Sequence, residues 1–290
     1  MPEFHTIRPH PRLNEPTARK DASGENFPVA SRLLPRHLRP HVEAYYGFVR
    51  LADDIADDPD LDTDVKLGHL DALERALMRG EGNAAYLAPA LQLRASFALN
   101  GLPDSYARHL LQAFRRDSRN ERCRTWGDLM VYCRYSAVPV GRYLLALHGE
   151  GPHATAASDA LCVALQILNH LQDAHDDWCD LGRCYIPLTW FDEAGVSPER
   201  LDERQSNAPI RAVFDRTLDR VYILLGRAAS LPGLIGHRGL RLEAAVIVSL
   251  AQTLARKLRR NDPLARRVVL SAPVKVGATA RGLARGLMMR

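Results

Sequence analysis

From about residue 40 onward, apolar positions recur every three or four residues, the spacing of helices that bury one face. A helix over 41–58 opens behind Pro40, where a first turn tolerates proline, and Pro59 closes it. Leu67, Leu70, Leu73, Ala76 and Leu77 place a second over 64–78. Two more fall over 85–99 and 104–116, divided by the turn Asn100-Gly101-Leu102-Pro103. Thr125 followed by Asp128 has the form of a capping box and predicts a helix from there to Leu147. One long helix is expected over 156–178. Two more, over 209–230 and 238–260, are joined by Pro232-Gly233. No stretch alternates convincingly with the period of two that a half-buried strand needs, and nothing repeats at a fixed period. The pattern predicts one all-α domain of roughly eight to ten helices over 27–260. Residues 1–26, with four prolines and no period, are expected to be flexible, and 261–290 to form a basic tail.

Composition narrows the class. The chain has 290 residues, 46% hydrophobic and 25% charged, which is ordinary for a globular protein and excludes wholesale disorder. A membrane span needs ~20 mostly apolar residues, and the best run, 244–255, is shorter and carries Ser249, Gln252 and Thr253. Residues 1–26 lack the apolar core of an export signal. The five cysteines therefore read as reduced thiols of a cytosolic protein. The net charge of +5 is mild. Basic residues crowd the C-terminal stretch without a single aromatic, so nucleic acid is not expected as a partner. Solvated charge is the simplest reading of that stretch; electrostatic contact with an anionic membrane is the other.

The acidic residues are concentrated. Seven aspartates lie between Asp53 and Asp64. On a helix Asp53 and Asp57 share a face, which Tyr46 and Arg50 extend. Stacked like charges beside Tyr46 and Val49 call for a cation, and oxygen-only ligands suit a hard one such as Mg2+. For this box alone a solvated acidic helix end is an equal reading. A second stripe, Gln166, Asn169, Asp173 and Asp177, runs in steps of three, four and four through a run rich in Leu, Ile, Val and Ala. No Lys or Arg occurs between Ala154 and Asp180, whereas a surface helix mixes both signs. This stripe reads as the wall of a cavity, with His170 and His175 flanking it in structural roles. Two acidic walls that face each other would gather Mg2+ around an anionic substrate, with Arg50 and Arg183 supplying further positive charge. That is the arrangement for ionising a diphosphate.

At this point the motifs resemble those of the squalene/phytoene synthase family, the head-to-head prenyl synthases. Arg50-Leu-Ala-Asp53-Asp54-Ile-Ala-Asp57 is similar to the first aspartate-rich motif, and the run Gln166 to Asp177 to the second. Gly182-Arg183-Cys-Tyr185-Ile-Pro187 resembles the Gly-Arg-x-Tyr-x-Pro stretch, and Tyr132-Cys133 to Gly141 the Tyr-Cys…Val-Gly segment. The resemblance implies an isoprenoid-synthase (terpenoid synthase) helical bundle around a central cavity. It implies that Asp53, Asp57, Asp173 and Asp177, with Asn169, hold about two or three Mg2+ ions. It further implies that Arg50, Asn169, Arg183 and Tyr185 hold the diphosphate, and that Tyr46 and Tyr132 border the reacting carbons.

The chain departs from the family at Tyr135-Ser136-Ala137-Val138-Pro139, where a Gly-Thr pair is usual, and at Glu25-Asn26-Phe27, where Lys-Ser-Phe is usual. Phe27, Tyr135, Ser136, Pro139 and Gln166 are expected to shape the pocket wall, and Pro139 to kink its helix. These segments are similar to the bacterial hopanoid-pathway branch. That similarity implies presqualene diphosphate as substrate, water as the quenching nucleophile and no NADPH. Condensation of two farnesyl diphosphates to presqualene diphosphate, squalene, dehydrosqualene or phytoene is the alternative, and a non-catalytic lipid-binding or assembly relative a remote one. Association with neighbouring pathway enzymes and peripheral membrane contact are further implied possibilities.

Overall fold

The computed structural model describes residues 33–289. Among the described residues every regular element is helical. The expectations placed on residues 1–26 and on Phe27 lie outside the described residues. The longer helices are α1 (Arg39–Asp57), α2 (Thr63–Arg79), α3 (Ala88–Asn100), α4 (Ser105–Ser118), α5 (Trp126–Ser136), α6 (Val138–Leu147) and α7 (Thr155–Gln172). They continue with α8 (Ala174–Leu181), α9 (Leu188–Glu193), α10 (Ala208–Ala228), α11 (Leu231–Leu234), α12 (Arg238–Arg260) and α13 (Ala272–Met288).

Helix α1 shows how the sequence sets this up. Pro40 occupies its first turn, and Val42, Tyr45, Phe48, Ala52, Ile55 and Ala56 form its buried face. Tyr45 stacks on Tyr143 of α6 at 4.1 Å and 8°, and its hydroxyl donates to the Tyr106 carbonyl at 3.1 Å. Helix α1 packs on α2, α3 and α4; α4 passes the core to α5 and α6; α7 packs on α5, α6, α10 and α12. Tyr46, Val49, Arg50, Asp53 and Asp57 occupy the remaining side of α1.

Three expectations change. The helix expected from Thr125 to Leu147 is two. The capping box forms, with Thr125 Oγ1 accepting from the Asp128 N–H and the Asp128 carboxylate accepting from the Thr125 N–H. The helix then ends at Ala137 (φ −129°, ψ −44°), and Pro139 lies in the first turn of α6. Proline there starts a helix instead of kinking one, since the N–H it lacks has no helical partner at that position. The helix expected over 156–178 also breaks, at Asp173 (φ −103°, ψ 8°). The Asp177 N–H still donates to the Asp173 carbonyl at 2.7 Å, so the four-residue step survives the break.

The third change concerns the basic tail. Residues 261–271 form a strap across the break between α7 and α8, and α13 packs along α12. Gly282 makes the contact possible: a Cβ there would lie 2.6 Å from Val246 Cα and 2.8 Å from the Ala245 carbonyl oxygen. Gly282→Ala is therefore expected to cost about 1–3 kcal/mol of stability. Urea denaturation measures it, and an unchanged midpoint would show that α13 is not closely packed.

Candidate active site

An apolar cavity of about 310 Å3 lies between α1, α6, α7, α11 and α12. Val42, Tyr46 and Val49 line it from α1, Val140 and Leu144 from α6, Leu161 and Leu165 from α7, and Ala244 and Ile247 from α12. Gly141 belongs to the same wall. A Cβ at that position would lie 2.5 Å from both Ser158 Oγ and Cys162 Sγ, so α6 and α7 approach as closely as they do only because it is glycine.

Beyond Val49 and Leu165 both helices continue into polar residues. On α1, Arg50 donates to Asp53 (2.9 Å) and to Asp54 (2.6 Å). Burial first, and the neighbouring Asp57 second, push the Asp53 carboxyl up to about 8. Asp57 is paired with Arg183, whose other nitrogen donates to the Ala56 carbonyl at 2.9 Å. Lys66 donates to the same carbonyl at 3.0 Å, and burial followed by Arg183 lowers its pKa. On the opposite wall, burial first and the charges of Asp173 and Asp57 next push Asp177 up to about 8. The carboxylates of α1 and α8 thus lie within electrostatic reach of one another, with more negative charge than the local arginines balance.

Asp117, at the end of α4, sits between the walls. It accepts from the Tyr132 hydroxyl (2.9 Å) and the Tyr185 hydroxyl (3.1 Å). Burial raises its pKa to about 6 even though Arg183 opposes the shift. Tyr185 stacks on His170 at 3.8 Å and 18°, and burial, with Arg183 adding, lowers His170 to about 3, which keeps that imidazole neutral. Gln166 Nε2 lies 3.3 Å from His170 Nε2.

The structure brings some expected residues together and sets others apart. Tyr46 lines the cavity, while Tyr132 and Tyr185 are anchored on Asp117 outside its lining. Asn169 lies on α7 four residues after Leu165. Gln166, Tyr135, Ser136 and Pro139, expected in the pocket wall, are not among the cavity-lining residues; Val140 and Gly141 take that place because the break at Ala137 turns α6 inward. Tyr135 meets His109 edge-on at 5.6 Å, and Ser136 Oγ is buried without a hydrogen-bond partner. His175 binds the Leu201 carbonyl at 2.9 Å, in keeping with a structural role.

Two residues that the sequence does not single out belong to the site. Asp117 sits among Arg115, Arg116 and Arg119 at the end of α4, outside both aspartate stripes. Arg267 comes from the strap and pairs with Asp173, its second nitrogen donating to Oδ2 at 3.0 Å. The Gln172 amide donates to the Val268 carbonyl, tying the strap to the break in α7. Part of the basic stretch is therefore engaged with carboxylates instead of solvated: Arg267 with Asp173, and Arg259 with Asp215 and Asp219.

Among the described residues, no three carboxylate, imidazole or thiolate side chains converge as a preformed metal cage. The donors are nonetheless hard oxygens in pairs on two facing walls, and two of them, Asp53 and Asp177, are half-buried carboxylates whose ionised forms are disfavoured by burial and by neighbouring carboxylates. That fits a divalent cation taking one or two protein carboxylates and completing its shell with phosphate oxygens and water.

A bundle whose apolar cavity ends between carboxylate-bearing helices is that of the terpenoid synthases. The sequence signature of squalene/phytoene synthase matches residues 20–273. The chain is 44% identical to hydroxysqualene synthase of Rhodopseudomonas palustris over 85% of its length and 83% of the relative's. It is 41% identical to hydroxysqualene synthase of Sinorhizobium fredii over 90% of each. Among solved structures, squalene synthase HpnC from Alicyclobacillus acidocaldarius superposes with a TM-score of 0.70 at 32% identity, covering 86% of this chain and 91% of that one. The chain belongs to the squalene/phytoene synthase family, enzymes that process prenyl diphosphates.

Proposed function

We propose that this chain is a hydroxysqualene synthase, converting presqualene diphosphate and water to hydroxysqualene and diphosphate in squalene and hopanoid biosynthesis. The observation that carries the reading is the continuity of α1 and α7: the same two helices wall the apolar cavity and lead into the acidic residues. One end holds hydrocarbon and the other an ionising head group. The identity to hydroxysqualene synthases over most of the chain favours hydration over condensation.

Asp53, Asp57, Asp173, Asp177 and Asn169 are the residues to hold Mg2+, which when bound neutralises charge building on the departing diphosphate. Arg50, Arg183 and Tyr185 hold diphosphate oxygens. The carbon–oxygen bond breaks and diphosphate takes the electron pair. The cation left behind is enclosed by Val49, Leu161, Leu165 and Ile247, which keep bulk water away. The ring of Tyr46 faces it with π density, and Tyr132, held by Asp117, borders the same end. A single water then bonds to carbon through its oxygen and gives its proton to the released diphosphate. The balance requires no reductant.

Purified protein incubated with presqualene diphosphate and Mg2+, without NADPH, is expected to yield hydroxysqualene. Recovery of squalene or phytoene alone, or turnover of farnesyl diphosphate in its place, would overturn the assignment.

A further inference from the structure

Helix α13 buries small residues against α12 and, apart from Leu283, leaves its larger apolar residues exposed. Ala278, Gly282 and Gly286, four apart, are buried against α12. Pro273, Val276, Ala280, Ala284 and Leu287 advance by three, four, four and three, one stripe of the opposite side, and all are exposed. Val276 is 68% exposed, Leu287 54%, and Met288 beside it 78%. A helix kept only to cover the core shows the reverse order, with its large apolar side chains buried and polar ones facing water.

Charge follows the same bias. The sequence has no acidic residue after Asp262 and six basic ones. Arg281 and Arg285 lie along one border of the stripe, and Lys275 comes from the first turn on the side toward α12. Arg281 donates to Thr253 Oγ1 at 3.2 Å and Arg285 to the Ala229 carbonyl at 3.3 Å, both neutral acceptors. Among the described residues no carboxylate lies within ion-pair distance of these three cations.

We propose that α13 is a lipid-docking helix: its exposed stripe enters the headgroup–acyl boundary of an anionic bilayer while Lys275, Arg281 and Arg285 pair with lipid phosphates. An apolar face bordered by basic side chains is the composition of helices that lie in that interface. None of the described helices is long and apolar enough to cross a membrane, so the contact is one of lying on the surface. Position adds to the argument. Helix α12 carries α13 on Ala245 and Val246, and its Ala244 and Ile247 line the cavity. The lipid contact thus stands one helix away from the hydrocarbon site.

Co-sedimentation of the full chain with phosphatidylcholine vesicles, with and without phosphatidylglycerol, tests this directly. Binding is expected on the anionic vesicles at low salt, weakening as salt rises. The double variant Val276→Glu/Leu287→Glu is expected to lower partitioning about tenfold or more. Lys275→Gln/Arg281→Gln/Arg285→Gln is expected to flatten the salt dependence, and the glutamate variant to keep the parent's thermal midpoint because Val276 and Leu287 are exposed. A full chain that stays in the supernatant with anionic vesicles at low salt would overturn the proposal. So would undiminished sedimentation of the glutamate variant. A parent dimer in light scattering that the glutamate variant splits would also overturn it, assigning the stripe to a second copy of the chain.

Discussion

Asp177→Asn is expected to lower turnover by about a thousandfold or more in a protein that withstands heat at least as well as its parent. The two halves of that expectation have one cause. Asp177 is a half-buried carboxylate whose charged neighbours include Asp173 and Asp57, and burial and repulsion together disfavour its ionised form. Such a charge is costly to keep unless the reaction needs it. The amide has nearly the same shape and carries no charge, so folding loses a liability while the acidic wall loses a donor. Asp53→Asn should behave alike, with Arg50 keeping an oxygen to bind. Steady-state kinetics and thermal melts in chelator-treated buffer give both halves. Full activity in either variant would contradict the assigned roles, and a sharp fall in melting temperature would make the carboxylates structural instead.

Arg183→Gln is expected to fail in the opposite way, losing stability as well as activity. Arg183 is 7% exposed. It is the cation held against Asp57 and the Ala56 carbonyl, and its charge also opposes that of Asp117 and Asp177. Removing the buried partner of a pair leaves the other less compensated, and because the Asp57 side chain keeps 40% of its surface the cost falls below that of a fully buried pair, at about 1–2 kcal/mol. Here several carboxylates are left with less positive charge, so the melting temperature should fall by several degrees. Arg183→Lys returns the charge without the two-pronged contact and is expected to recover part of the loss. A glutamine variant as stable as the parent would show that the acidic walls are balanced from elsewhere.

How far these residues were legible in the sequence follows from the distance over which each is determined. The two acidic stripes stand out because a four-residue step on a helix is a local property, and because carboxylates in an apolar run need a reason to be there. The expectation for the helix over 238–260 rested on the same kind of local period, and α12 spans Arg238–Arg260. Asp117 escaped notice because its role depends on hydroxyls 15 and 68 positions away, at Tyr132 and Tyr185. The break at Asp173 was equally hidden: Leu171-Gln172-Asp173-Ala174 has no glycine or proline, and the strap that engages both Gln172 and Asp173 lies more than 90 residues on. Pro139 announced a disturbance, but only the packing of α5 and α6 decides that the helix restarts there. Helix α13 lies in the stretch whose basic residues predict a tail; its glycines, which depress helix propensity, let it approach α12 closely enough to be held.

The pairing of Arg267 with Asp173 spans 94 positions, and this sets an order in time as well as in space. During synthesis the acidic residues of α1 and α8 leave the ribosome long before the strap does, and the second wall meets its arginine only once the strap has followed. A nascent chain is therefore most acidic in its functional cleft while it is still tethered. A message that stops short of codon 267 would encode a bundle with most of its helices and an acidic cleft missing one of its counter-charges.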